Sequence, residues 1–176
     1  MAAPDVAALC PRVAALPRCP ASGLPIPATS GRDDRGRVRF GVNDTAAKLA
    51  CAIAETCGIC AGPFDGAPMV FFVIDTFPPD VDPARLLFPD PPSHPECLAD
   101  AMGLCPVIAR PRTPRRSRPG EPKDGWLMIT CDGYELGPGR PGSVLFTFRS
   151  RGITSVRRYT YGADGALTEE ATCPSR

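Results

Sequence analysis

The residues with the clearest chemistry are three cysteines and the single histidine of the chain. Cys57 and Cys60 form a C-x2-C pair around Gly58, and His94 and Cys97 form an H-x2-C pair further along. A short turn with a glycine lets two thiolates converge on one ion, and residues three apart at a helix start project to one side. Three thiolates and one imidazole make a closed tetrahedral set typical of structural zinc. We therefore predict that these four residues bind one zinc ion.

Two other interpretations of these cysteines stay open. They could be free buried thiols, or Cys57 and Cys60 could form a redox dithiol, since C-x2-C is also a dithiol motif. The redox interpretation lacks the βαβ pattern of a thioredoxin-like fold around the pair. A lone histidine is more often an ordinary polar residue than a ligand, but here it stands three residues before Cys97 at the expected start of a helix.

Two helices and a strand are predicted to position the four ligands. Asp44 is typical of an N-cap, and apolar residues at helical spacing follow it, which predicts a helix over 44–57. The unbroken apolar run Met69–Ile74 predicts a buried strand. Ser93 and Glu96 have capping-box spacing, so a second helix is predicted over 94–104. A helix, a knuckle, a strand and a helix in this order indicate a treble-clef-like module.

Several short strings along the chain occur together in one group of proteins. They are Pro25-Ile26-Pro27, Cys57-Gly58-Ile59-Cys60, Met69–Asp75, and Pro91-Pro92-Ser93-His94-Pro95-Glu96-Cys97 with Cys105-Pro106 after it. On these strings the segment from about Pro25 to Pro111 resembles small uncharacterised zinc-knuckle proteins of actinobacteria and their phages. That pattern usually has a glycine after the second knuckle cysteine, where this chain has Ala61. The resemblance spans about half of the chain, implies the same zinc ligands and carries no known activity.

The remaining segments predict an α+β chain with an antiparallel C-terminal half. We expect an irregular segment over 1–24, a zinc-binding α+β module over 25–108, a Pro/Arg-rich linker or loop over 109–125, and an antiparallel β-meander over 126–171 packed on the module. Near the N-terminus the expected strands are Leu24–Pro27 and Arg37–Val42, joined by a turn at 33–36. In the C-terminal half the first two expected strands are Trp126–Cys131 and one through Val144, Phe146 and Phe148. Two more follow, Ile153–Tyr161 after a turn at Arg151-Gly152 and Ala166–Glu170 after a turn at Asp164-Gly165.

Composition limits the functional classes more than it selects one. The net charge of +1 gives no global attraction to nucleic acid. No apolar run has the length of a membrane helix. The N-terminus carries Asp5 and no basic cluster before its short apolar stretch, which is not typical of a secretory signal. We therefore expect a cytoplasmic protein without a membrane partner, in which nine cysteines indicate metal rather than disulfides.

One basic run could contact a partner. It comprises Arg110, Arg112, Arg115, Arg116 and Arg118, with no acidic residue among them. These side chains could contact phosphates, but the segment also fits a solvated, mobile proline-rich loop. The sequence thus favours a non-catalytic interaction module that binds protein or nucleic acid. The alternatives are an enzyme or nuclease on a treble-clef scaffold, which one histidine bound to zinc does not support, and a thiol-based redox or metal sensor.

Overall fold

The computed structural model describes residues 8–75, 81–105, 108, 125–139, 146–162 and 164–170. Within them the chain is α+β, as the sequence predicts. The elements in chain order are α1 (Pro11–Ala14), β1 (Ser30–Arg32), β2 (Val38–Asn43), α2 (Thr45–Ala54), β3 (Met69–Asp75), a 3-10 turn (Pro83–Arg85), α3 (Pro95–Leu104), β4 (Gly125–Pro138), β5 (Phe146–Tyr161) and β6 (Leu167–Glu169). No helix in these ranges has both the length and the apolar character needed to cross a membrane.

The main sheet is an antiparallel meander of four strands in the order β3-β4-β5-β6. The predicted C-terminal meander is confirmed, and β3 joins it as an edge strand, with all seven of its residues paired to β4. The strand β3, which follows the knuckle in sequence, is therefore part of the C-terminal sheet. The predicted zinc-binding module and the meander are joined by the hydrogen bonds between β3 and β4.

The turn predicted at Arg151-Gly152 is wrong, because β5 runs through it without a break. The pairing to β4 shifts register between Thr130 and Cys131, so the sheet has a bulge there. The residue left without a partner there is Thr154, and Gly152, two residues before it, has a φ of 60°, which glycine adopts easily within an irregular strand. The strand predicted over Trp126–Cys131 is correspondingly longer, since β4 continues alongside β5 to Pro138. The turn at Asp164-Gly165 is confirmed by the bond from the Gly165 amide to the Gly162 carbonyl.

Two hydrophobic clusters form the core of the described residues. The larger one lies on one face of the sheet, under α2 and the segment after the 3-10 turn, and its members include Ala52, Phe71, Phe88, Leu127, Ile129 and Phe148. The smaller one is built from Val13, Cys57, Phe64 and Cys97. Met69 packs against both clusters. Two of the predicted metal ligands thus belong to the smaller core, while the sheet has a core of its own.

The N-terminal hairpin is displaced from its predicted position. Its turn lies at 33–36 as expected, where the Gly36 amide bonds the Asp33 carbonyl, but the strand before it is β1 and not Leu24–Pro27. In that earlier segment the Ile26 amide bonds the Pro17 carbonyl. The segment therefore ties the N-terminal region to the body of the protein. It does not pair with β2.

Both predicted helices exist, with differences at their ends. Asp44 caps α2 as expected, since its carboxylate accepts a hydrogen bond from the Ala47 amide at 2.8 Å. The helix ends at Ala54, before the predicted 57, because Glu55 takes a left-handed conformation with a φ of 51°. In α3 the predicted capping box is wrong. His94 is the N-cap residue, and the backbone of Ser93 is instead paired with Val70 of β3.

Candidate metal centre

The four predicted ligands come together at one point. Cys57, Cys60, His94 and Cys97 each offer one ligand atom, and these atoms all lie within 4.8 Å of one another. Cys57, His94 and Cys97 have no solvent exposure, whereas Cys60 is half-buried. The grouping is consistent with a metal site, and solvent reaches it from the Cys60 side.

The knuckle presents its sulfurs to a set of backbone amides. The amides of Ile59, Cys60 and His94 donate to the sulfur of Cys57 at 3.4, 3.5 and 3.4 Å, and the amide of Gly62 donates to the sulfur of Cys60 at 3.4 Å. Such bonds favour the thiolate form of cysteine, which is the form that binds metal. The turn itself is closed by the Ala61 amide on the Cys57 carbonyl at 2.8 Å.

Ala61 stands where the backbone of the knuckle turns left-handed. Its φ is 56°, in the region that glycine adopts most easily. At the next residue, Gly62, an added Cβ would lie 2.7 Å from Nη1 of Arg12, which a flexible side chain can relieve, and 3.3 Å from Sγ of Cys60. The knuckle is therefore closely packed beside Cys60.

The segment Pro91–Ser93 places His94 against the knuckle. The Gly58 amide bonds the Pro92 carbonyl at 2.9 Å, and Ser93 exchanges two backbone bonds of 2.9 Å with Val70. An added Cβ on Gly58 would lie 2.8 Å from Pro91, so a glycine is needed at the close approach. The string before the histidine therefore connects the knuckle to β3 and fixes where α3 begins.

His94 is oriented by a hydrogen bond on the far side of its ring. Nε2 lies 3.0 Å from the carbonyl oxygen of Pro63, an acceptor, so this nitrogen carries the proton. Nδ1 is then free to bind a metal, and it lies 3.5 Å from Sγ of Cys60 and 3.9 Å from Sγ of Cys97. The ring of Phe64 packs against the imidazole with a centroid distance of 4.8 Å. A ligand histidine held by a carbonyl in this way is common at metal centres.

The donor set and its dimensions fit a zinc ion. Zinc bonds of about 2.3 Å to sulfur and about 2.0 Å to nitrogen imply edges of about 3.5 to 3.8 Å in a tetrahedron. The distances from Nδ1 of His94 to Cys60 and Cys97 match those edges within a few tenths of an ångström. The four ligand atoms as a set lie within 4.8 Å, so closing them on one ion needs side-chain movements of no more than about 1 Å.

The thiols of Cys57, Cys60 and Cys97 differ in their pKa values. The pKa of Cys57 is lowered to about 4, mainly because the Cys97 thiol donates a hydrogen bond to its sulfur. That bond raises the pKa of Cys97, and burial raises the pKa of Cys60. Metal binding must displace the protons of Cys60 and Cys97, so the affinity for metal is expected to rise with pH.

The N-terminal segment covers the exposed edge of the centre. Nη1 of Arg12 and Sγ of Cys60 border the same small space above Gly62, and Nε of Arg12 lies 3.5 Å from Oε1 of Glu96 on α3. The Cys10 amide donates to Asp100 of α3 at 2.9 Å. A cation here opposes the negative charge that three thiolates leave on a bound divalent metal. The sequence offered no motif for Arg12, because it meets the site only through tertiary contacts.

Replacing Arg12 by glutamine is expected to speed metal loss. Partners that surround metal ligands typically contribute about 10- to 100-fold in affinity, and the partial exposure of Arg12 places the expected effect near the lower limit, at about tenfold. The measurement is the rate at which a competing chelator removes the metal. Arg37→Gln is the matched control, since Arg37 pairs with Asp33 in the β1–β2 turn. Equal rates for the two variants would contradict a role for Arg12.

Other residues singled out by the sequence lie elsewhere. Arg110, Arg112, Arg115, Arg116 and Arg118 fall outside the described residues, as does nearly all of the predicted linker 109–125. Cys105 shares a stripe with Cys97 and Ala101, and all three line a small apolar cavity of about 30 Å³ beside the centre. That volume is close to that of one water molecule, so the cavity is too small for an organic ligand.

Comparison with known proteins adds no further constraint. No protein-family model, no curated protein and no solved structure matches the chain. We therefore infer the function from the residues of the site and from the surface around it.

Proposed function

We propose that the chain binds one zinc ion through Cys57, Cys60, His94 and Cys97, and that this zinc is structural. The observation that carries the proposal is the convergence of the four ligand atoms within 4.8 Å of one another. Support comes from the backbone amides on Cys57 and Cys60 and from the carbonyl of Pro63 on His94, since these groups orient the ligands before metal binds. The knuckle and the α3 start, with β3 between them in sequence, favour a treble-clef-like arrangement.

The proposed role of the chain is that of a non-catalytic interaction module. Four protein ligands leave no open position on a tetrahedral zinc for water or substrate, so hydrolysis at the metal is not favoured. An exposed apolar helix face, described below, favours a protein partner. A nucleic-acid partner is a prediction from the arginine run 110–118 alone. A cytoplasmic location and a relationship to actinobacterial and phage proteins likewise remain predictions from the sequence.

Thiol titration with and without a chelator tests the zinc proposal against its two alternatives. In the native protein the thiols of Cys57, Cys60 and Cys97 are expected to react slowly with a disulfide reagent, and a chelator is expected to expose them. A titration that the chelator does not change would support free buried thiols instead. Thiols that appear only after addition of a reductant would support a redox dithiol. Cobalt substitution provides a second readout, because cobalt bound by thiolates absorbs visible light.

A further inference from the structure

The helix α2 leaves its larger aliphatic side chains, Leu49 and Ile53, on its outward side. Its buried residues are Lys48, Cys51 and Ala52. Apart from Thr45 in the first turn, the exposed positions form an apolar stripe, Ala46, Leu49, Ala50, Ile53 and Ala54. A surface helix usually turns such a stripe toward the core. Here 40% of Leu49 and 74% of Ile53 are exposed to solvent.

Three contacts fix this orientation. Nζ of Lys48 donates to the Pro89 carbonyl at 2.7 Å and lies 3.3 Å from Oδ1 of Asp90. One turn later, the hydroxyl of Tyr134 on β4 donates to the carbonyl of Ala52 at 2.9 Å. Ala52 also belongs to the larger core cluster. Turning the stripe inward would break these bonds and remove Ala52 from the larger core, so the outward stripe is a stable feature of the fold.

The spacing of the stripe is that of a helix that binds another protein. Single exposed apolar residues are ordinary on a protein surface, whereas a continuous patch marks a contact site. Positions 46, 49, 50, 53 and 54 repeat at i, i+3, i+4, i+7 and i+8, the anchor pattern of a helix that lies in an apolar groove. The three alanines allow close approach, while Leu49 and Ile53 supply the larger side chains.

The charges around the stripe select the kind of partner. Glu55 lies at the C-terminal end of α2, where its charge adds to the negative end of the helix dipole, and Asp44 lies at the opposite end. Within the described ranges no ion pair neutralises either carboxylate. Lys48, the helix's one basic residue, points inward. A second copy of α2 would place Glu55 against Glu55 or Asp44, so a self-contact is disfavoured.

We propose that α2 is a docking helix, whose outward stripe binds an apolar surface of another protein with basic side chains at its edge. This inference depends on the proposed function for the role of the chain as an interaction module, and it names the surface and the partner chemistry. It does not require the zinc to contact the partner.

Two synthetic peptides test the proposal on the full chain. Each is an amphipathic helix of about five turns with a leucine face, flanked by lysines in one peptide and by glutamates in the other. We expect the lysine peptide to bind at least about tenfold more tightly than the glutamate peptide and to shift the amide NMR signals of residues 44–55. The double variant Leu49→Gln/Ile53→Gln should lose binding. Leu136→Gln, which changes a leucine of similar exposure on β4, should keep it.

A charge-reversal variant tests the predicted preference for a basic partner. Glu55→Lys should weaken binding of the lysine peptide and strengthen that of the glutamate peptide. Three results would overturn the proposal: binding that survives in the double variant, self-association of the wild type that the double variant abolishes, and occupation of α2 by another segment of the same chain. Zinc content is measured in the same samples. A protein that holds zinc but binds neither peptide contradicts this inference alone, whereas peptide binding without zinc contradicts the zinc proposal alone.

Discussion

Replacing His94 by alanine is expected to abolish zinc retention and to unfold the region around the centre. The side chain has no solvent exposure and supplies the one nitrogen ligand. Zinc would close a loop of about 40 residues, a costly closure for the chain without metal. Binding of structural zinc contributes on the order of 10 kcal/mol in finger peptides, which is comparable to the stability of a whole domain. Cys60→Ser is expected to have the same effect.

The loss should be confined to one part of the structure. The smaller core contains Cys57, Phe64 and Cys97, so residues 55–64 and 91–105 should lose most of their protection from hydrogen exchange. The helix α2 should lose less, because its Ala52 belongs to the larger core. The strand β3 should be less affected, because its seven residues pair with β4, which has a separate core beneath it. Hydrogen exchange of His94→Ala against wild type is the measurement, and Cys105→Ser, outside the ligand set, is the control. Unchanged protection in both segments would mean that the metal is not structural.

Truncation of Phe148 to alanine is expected to destabilise the sheet while leaving the metal in place. Phe148 has no solvent exposure, and its ring lies 5.5 Å from that of Tyr134 and 6.2 Å from that of Phe71. Losing a buried phenylalanine typically costs about 3 to 5 kcal/mol in the free energy of unfolding. The zinc content should be unchanged, because Phe148 belongs to the larger core and the ligand cysteines to the smaller one.

Chemical denaturation with a parallel zinc assay measures this effect. The matched control is Leu136→Ala, which truncates the cross-strand partner of Phe148, a side chain 45% exposed. Its expected cost is about 1 kcal/mol or less, as for most substitutions outside a core. Equal costs for the two variants would contradict the placement of Phe148, and not of its partner Leu136, in the core.

The sequence could predict the candidate ligands because their geometry is mostly local. A C-x2-C turn places Cys57 and Cys60 together wherever it lies, and residues at the start of a helix place His94 and Cys97 together in the same way. The predicted capping box was wrong because it depends on a contact between residues distant in sequence. Whether Ser93 caps α3 depends on Val70, which binds its backbone from a strand far away in sequence. Local patterns cannot show such competition.

Which side of a helix faces the core was harder to predict than where the helix lies in the sequence. Apolar spacing over 44–57 predicted a helix correctly, yet the stripe that gave the prediction lies outward, because Lys48 and Ala52 make the inward contacts. Gly152 misled in another way. A glycine with positive φ suits a turn and an irregular strand equally, and only the pairing of β5 with β4 on both sides of it decides between them.

Metal analysis of the purified protein, combined with X-ray absorption at the zinc edge, shows whether Cys57, Cys60, His94 and Cys97 bind zinc. After expression with adequate zinc, we expect one zinc per chain, coordinated by three sulfurs and one nitrogen at about 2.3 and 2.0 Å. A metal content below about half an equivalent would contradict it, as would a first shell that contains oxygen or lacks sulfur.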